Sequence, residues 1–280
     1  MLDFDPSRQA PAPRPAATVI VLRPASAGLE VFCVLRNQRS SFLGGAVVFP
    51  GGKVDPHDAD DAWTTRATEP HARTHLLASD AATARALAVA ACRESLEEAT
   101  LVPLERALPD TEVLAMRAEL EGGKSFADAL ASRDARLSLG ALVPWARWIT
   151  PEAESRRFDA SFFLLPLPEQ QRGAHDDHEI TSSFWGRPAD VLDRFLRGEI
   201  FLAPPTTRTL ELLADCTSLD SAVALAEAQS LLPICPRFVP HDSAPYLALP
   251  GDPSHEVPEK RVTGKTRFVL RDGKFLSEDP

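Results

Sequence analysis

Residues 91–99, Ala91-Cys92-Arg93-Glu94-Ser95-Leu96-Glu97-Glu98-Ala99, crowd three glutamates into a segment that reads as helix. Residues 81–99 are rich in alanine and free of Gly and Pro, Ser79-Asp80 offers an N-cap, and Pro103 ends the run. At about 100° per residue, Glu97 falls ~60° to one side of Glu94 and Glu98 ~40° to the other. Val89, Cys92, Leu96 and Ala99 lie on the opposite face, so the helix can pack onto a sheet and present its acids outward. Like charges at this spacing cost a helix a few tenths of a kcal/mol, and only Arg93 can pair, with Glu97. A bound divalent cation would remove the conflict, because hard ions such as Mg²⁺ take carboxylate oxygens and leave positions for water and phosphate oxygens. That arrangement points to phosphate chemistry; the plainer alternative is a solvated acidic face.

A second feature favours the chemical reading. Upstream, Phe49-Pro50-Gly51-Gly52-Lys53-Val54-Asp55-Pro56-His57-Asp58 places two consecutive glycines after a short apolar strand and an acid six residues beyond Gly52. Together the two segments resemble the signature of the Nudix hydrolases: Gly, five residues, Glu, seven residues, then Arg-Glu, an apolar residue, any residue, Glu-Glu, any residue and Gly. Gly52 to Asp58 and Arg93 to Glu98 correspond to its halves. The chain departs from the pattern in having Asp58 for Glu, Ser95 at the apolar place and Thr100 for the last glycine. It also separates Asp58 from Arg93 by 34 residues, an insertion of about 27. A split box of this kind is similar to the subgroup that cleaves coenzyme A and acyl-coenzyme A. The stretch Arg39-Ser40-Ser41-Phe42-Leu43-Gly44-Gly45, Thr150-Pro151, Arg156-Arg157-Phe158-Asp159 and Phe162-Phe163 look like that subgroup as well.

The resemblance implies an α/β fold, a Nudix-type α/β/α sandwich with a mixed sheet, decorated by helical insertions and a C-terminal extension. It implies that Glu94, Glu97 and Glu98 hold Mg²⁺ or Mn²⁺, with Asp58 and a carbonyl of Gly51 or Gly52 nearby, while Arg93 orients the glutamates. A carboxylate or a metal-bound hydroxide would be the base, with Glu97 and Glu179 the candidates among side chains. The implied substrate is a nucleoside diphosphate compound, coenzyme A or its acyl form in first place. NADH, ADP-ribose and dinucleoside polyphosphates stay open, as does a non-catalytic nucleotide sensor that keeps the fold without turnover.

Other residues are read from their own chemistry. Arg39, Arg156 and Arg157 are cations in an acidic chain, and guanidinium forks suit phosphate oxygens. Glu179 closes the polar run His175-Asp176-Asp177-His178-Glu179, which also reads as a solvated turn. His175 with His178, and His71 with His75, are weak candidates for zinc. Phe158, Phe162 and Phe163 alternate as strand residues do, so at most one face could stack on a base.

Positioning these groups requires a sheet and several helices. Residues 17–23 and 30–36 read as a hairpin, 142–149, 158–165 and 180–185 as further strands, and 188–196, 206–214 and 221–232 as helices. Residues 104–135 read as one or two helices broken at Gly122-Gly123, and Asp272-Gly273 marks a terminal hairpin. The expected layout is a proline-rich arm over 1–15, a catalytic domain over 16–235 with insertions at about 59–92 and 103–140, and an extension over 236–280. At 280 residues, 44% hydrophobic and 25% charged, the chain has the composition of a folded globular protein. A formal charge of −10 argues against nucleic acid as a partner, and no apolar run is long enough to span a membrane. Cys33, Cys92, Cys216 and Cys235 form no CxxC pair, and the N-terminus lacks a secretory pattern, so the expected location is the cytoplasm. A homodimer is compatible with all of this.

Overall fold

The computed structural model describes residues 9–38, 43–175 and 180–280. Its centre is a mixed sheet organised around β1 (Arg14–Ala25), which pairs in parallel with β6 (Phe158–Pro166) along its length, from Arg14↔Phe158 to Leu22↔Pro166. On its other edge β1 meets β2 (Gly28–Arg36) only at Leu22 to Ala25. The hairpin then splays, and β3 (Val47–Val48) and β4 (Gly51–Lys53) fill the split, β4 against Ala16 to Thr18 and β3 against Val34 and Leu35. Strand β5 (Val143–Ile149) extends the sheet beyond β6, and β7 (Ile180–Gly186) extends it beyond β2. The open side of β5 is covered by a parallel bridge from Ile234, which blunts an exposed edge.

Alternation along β1 builds two cores. Ala17, Val19 and Val21 face one side, and Ile20 and Leu22 the other. The first side is covered by α2 (Ala81–Ala99), and then by the inserted α1 (Trp63–Arg66), α3 (Asp110–Glu121) and α4 (Phe126–Ala131). Helix α2 is thus enclosed by sheet and insertion together, which explains its alanines: only short side chains let both neighbours approach. The second side is covered by α5 (Pro188–Leu196), α6 (Pro204–Ala214) and α7 (Leu219–Ala228). It is completed by an antiparallel sheet of β8 (Arg237–Val239), β9 (Tyr246–Ala248), β10 (Arg267–Arg271) and β11 (Lys274–Glu278). The architecture is the expected α/β sandwich with a mixed sheet. No helix among the described residues is long and apolar enough to cross a membrane.

Two boundaries differ from the sequence expectation. Arg14 and Pro15, read as arm, are strand, because the parallel register with Phe158 and Asp159 recruits them. Residues 81–92, read as insertion, belong to the glutamate helix, which starts at Ala81 with Asp80 accepting the Thr83 N–H at 2.8 Å.

Candidate active site

The two halves of the sequence pattern meet. The Gly51 N–H donates to Glu98 Oε2 at 2.9 Å, across 47 residues of chain. The glycines are there for space: a Cβ at Gly52 would collide with the Glu94 carboxylate, and one at Gly51 with the Ala17 carbonyl and the Thr18 backbone. Strand β4 is therefore where the Glu94 and Glu98 carboxylates of α2 come up against the backbone of the sheet.

Arg93 organises the cluster. Its Nε donates to Asp58 Oδ1 and its Nη2 to Asp58 Oδ2, both at 2.9 Å, and Nη2 also donates to the Lys53 carbonyl. Its Nη1 donates to Glu94 Oε1 at 2.8 Å and Glu97 Oε2 at 3.0 Å. Burial works against the guanidinium's charge, but the Asp58 hydrogen bonds and the adjacent Glu94 and Glu97 hold its pKa above the ordinary arginine range. Asp58, expected beside a metal, is buried, with both oxygens committed to Arg93 and one also to the Asp55 N–H. Its place comes from a 3₁₀ turn, Pro56–Ala59, closed by a capping box with Asp55.

Burial pushes Glu94 up to about 7, with Arg93 opposing and Glu97 adding to the rise; burial likewise raises Glu97. Glu97 is the most open of the three, its side chain 37% exposed against 15% for Glu94 and 6% for Glu98. Arg36, which sequence reasoning did not single out, brings Nη1 to 3.7 Å from Glu98 Oε1. Among the described residues, Asp58, Glu94, Glu97 and Glu98 thus gather around Arg93 and Arg36.

The expected metal cage is not preassembled: among the described residues no three His, Cys, Asp or Glu side chains converge to hold an ion. The physical reason is Arg93, whose guanidinium stands between Glu94 and Glu97 and takes up the charge that would otherwise drive them apart. The donor types nevertheless fit a hard divalent ion, since Glu94, Glu97 and Glu98 offer carboxylate oxygens alone.

Arg93, Glu94 and Glu98, but not Glu97, line a cavity of about 900 Å³, near the upper end of the ~300–1,000 Å³ usual for small-molecule sites. Gly51, Gly52, Lys53, Arg93, Glu94 and Glu98 line part of it; the rest of the wall mixes apolar residues such as Phe49, Trp148, Phe162 and Leu247 with polar ones such as Thr150, Ser155 and Thr206. Arg156 is exposed on the lining and makes no hydrogen bond or ion pair among the described residues, whereas Arg157 is buried. The Arg157 guanidinium donates to the Thr150 and Pro11 carbonyls, which is structural work. Arg39, Glu179, and with the latter Asp176, Asp177 and His178, lie outside the described residues. Of the zinc candidates, His71 pairs with Glu227 and His75 with the Ala72 carbonyl.

The departures from the signature fall away from the cavity. Ser95 is fully buried and does not line it. Thr100 caps α2 at φ 56°, the left-handed conformation that explains why a glycine is usual there. Its Oγ1 donates to the Ala174 carbonyl and accepts from Arg117 of α3, a local compensation.

A model of the NUDT19 Nudix domain matches residues 68–213, which include the glutamate helix and strands β5, β6 and β7 of the sheet. This chain belongs to the Nudix hydrolase family. The Nudix match begins after the Gly51-Gly52 turn, so the first half of the box rests on the geometry above. Among its relatives, the acyl-coenzyme A diphosphatase NUDT19 of Gallus gallus is 27% identical over 300 residues, spanning 89% of this chain and 78% of its own. The Homo sapiens protein of the same name is 26% identical over 304 residues, spanning 90% and 80%. A solved NUDIX hydrolase from Alicyclobacillus acidocaldarius is 30% identical, covering 76% of this chain and 96% of its own with a TM-score of 0.66.

Proposed function

We propose that this Nudix hydrolase cleaves the diphosphate of coenzyme A or an acyl-coenzyme A, giving adenosine 3′,5′-bisphosphate and 4′-phosphopantetheine or its acylated form. The observation that carries the reading is the junction at Gly51, where the carboxylate-bearing helix meets the glycine turn at one end of a large cavity lined by both apolar and cationic residues. The acyl-coenzyme A diphosphatase relatives support the choice of substrate.

A diphosphate resists water because its oxygens repel a nucleophile, so charge must be matched where the attack occurs. Glu94, Glu97 and Glu98 would hold Mg²⁺ or Mn²⁺, which would neutralise phosphate oxygens and acidify a nearby water. Arg36 and Lys53, both lining the cavity, bind the phosphate oxygens. The water's oxygen forms a bond to one phosphorus, the bond from that phosphorus to the bridging oxygen breaks, and the bridging oxygen leaves on the other phosphate. Glu97, the most open carboxylate and one with a raised pKa, takes the proton. Asp58 acts through Arg93: it fixes the guanidinium, which aligns Glu94 and Glu97.

Hydrolysis of coenzyme A, acetyl-coenzyme A, NADH, ADP-ribose and diadenosine tetraphosphate with Mg²⁺ tests this directly. Cleavage of the coenzyme A compounds is expected. Cleavage of ADP-ribose with coenzyme A untouched overturns the substrate, and binding of Mn²⁺ and nucleotides without turnover would make the chain a sensor.

A further inference from the structure

The cavity carries cations at two places, and the cluster at the glutamate helix explains only one. At the N-terminal end of β1, just before the residues that pair with β4, Arg14 lines the same cavity, is exposed, and like Arg156 makes no side-chain hydrogen bond or ion pair among the described residues. Parallel pairing brings the two together: Arg14 is the register partner of Phe158, and its N–H donates to the Arg157 carbonyl at 2.9 Å. Phe158 also lines the cavity here. Arg157 anchors the corner by holding the Pro11 carbonyl of the strand entering β1. Of the lining acids, Glu94 and Glu98 belong to the glutamate helix, while Asp55 follows Val54, whose N–H donates to the Pro15 carbonyl next to Arg14. Two solvent-facing guanidiniums, neither engaged by a carboxylate among the described residues, beside an aromatic ring make a site for a phosphate dianion next to a stacked base.

The spacing follows from the strand. Gly52, against Glu94, is the register partner of Ala17. Arg14 stands three residues further along β1, ~10 Å at ~3.3 Å per residue. That is a distance an arginine side chain and one ribose with its ester links can bridge.

We propose that Arg14 and Arg156, with Phe158, form a subsite for a second phosphate carried on the ribose of the substrate's nucleoside. The subsite rests on the diphosphate reading above and deepens it: it selects a 3′-phosphorylated adenosine, as in coenzyme A, over NADH, ADP-ribose and dinucleoside polyphosphates, which lack that group.

Calorimetric titration of the full chain with adenosine 3′,5′-bisphosphate and with AMP reads the subsite without requiring turnover. Wild-type protein is expected to bind the bisphosphate on the order of tenfold or more tightly than AMP. In Arg14→Ala, Arg156→Ala and the double variant that ratio should fall toward one, with Arg14→Lys and Arg156→Lys intermediate because a lysine keeps the charge and loses the fork. Both arginines are exposed, so unchanged circular dichroism and melting are expected and serve as the folding control. A wild-type ratio of one, or a ratio unchanged in the double variant, overturns the subsite. Parallel turnover of coenzyme A and 3′-dephospho-coenzyme A separates the two readings: discrimination in binding with neither compound hydrolysed leaves the subsite standing and removes the hydrolase.

Discussion

Glu97 and Asp58 sit on the same guanidinium, yet their substitution should have opposite consequences. Glu97 is partly open and is the base in the proposed reaction, so Glu97→Gln is expected to lower kcat by about two to four orders of magnitude with little change in melting temperature. Asp58 is buried against Arg93, and Asp58→Ala leaves a guanidinium without its bidentate partner, at a cost of about 3 kcal/mol in chemical denaturation. Equal effects of the two variants on stability would contradict this division of labour. Ser95 supplies a separate test: its hydroxyl is fully buried and has no hydrogen-bond partner. Ser95→Ala should therefore raise stability by about 1 kcal/mol, read as an upward shift in the melting temperature. Gly52→Ala would drive a methyl into the Glu94 carboxylate, and loss of Mn²⁺ binding in an otherwise folded protein is its expected signature.

At the scale of elements, the strongest local signals gave the right structure. Helix α2 is found over the residues its alanine run and Asp80 cap mark out, and the strands and later helices follow their periodicity to within a few residues. The glycine pair and the glutamates were also legible, because close approach and charge repulsion leave traces in residue type. Arg14, Trp148 and Leu247 left no such trace: they reach the cavity through the β1 to β6 register and through docking of the C-terminal sheet, which are long-range facts. Arg157 was misleading for a related reason, since an arginine that ties down two carbonyls looks the same in sequence as one that grips a ligand. The insertion has a mechanical element of its own: Arg73 donates to the carbonyls of Ala226 and Gln229, strapping the segment after α1 to the end of α7.

For the molecule as a whole, the acidic cluster links ion binding to pH. Burial raises Glu94 to about 7, so the metal-free fold favours its protonated form. That contribution to stability is fully present below the unfolded carboxyl pKa and is lost as pH rises through about 7. A divalent ion must displace this proton, so Mn²⁺ affinity should be clearly weaker at pH 6 than at pH 8, and thermal stabilisation by Mn²⁺ should grow over the same interval. In the proposed function, the glycine turn, the insertion and the C-terminal sheet matter in so far as they bring the glutamate helix, as an ion site, to one cavity. Diffraction from crystals soaked in Mn²⁺ addresses that claim most directly. An anomalous peak bounded by Glu94, Glu98 and the Gly51-Gly52 backbone is the result the account requires; no peak there under saturating Mn²⁺, or manganese only at some other place on the molecule, would contradict it.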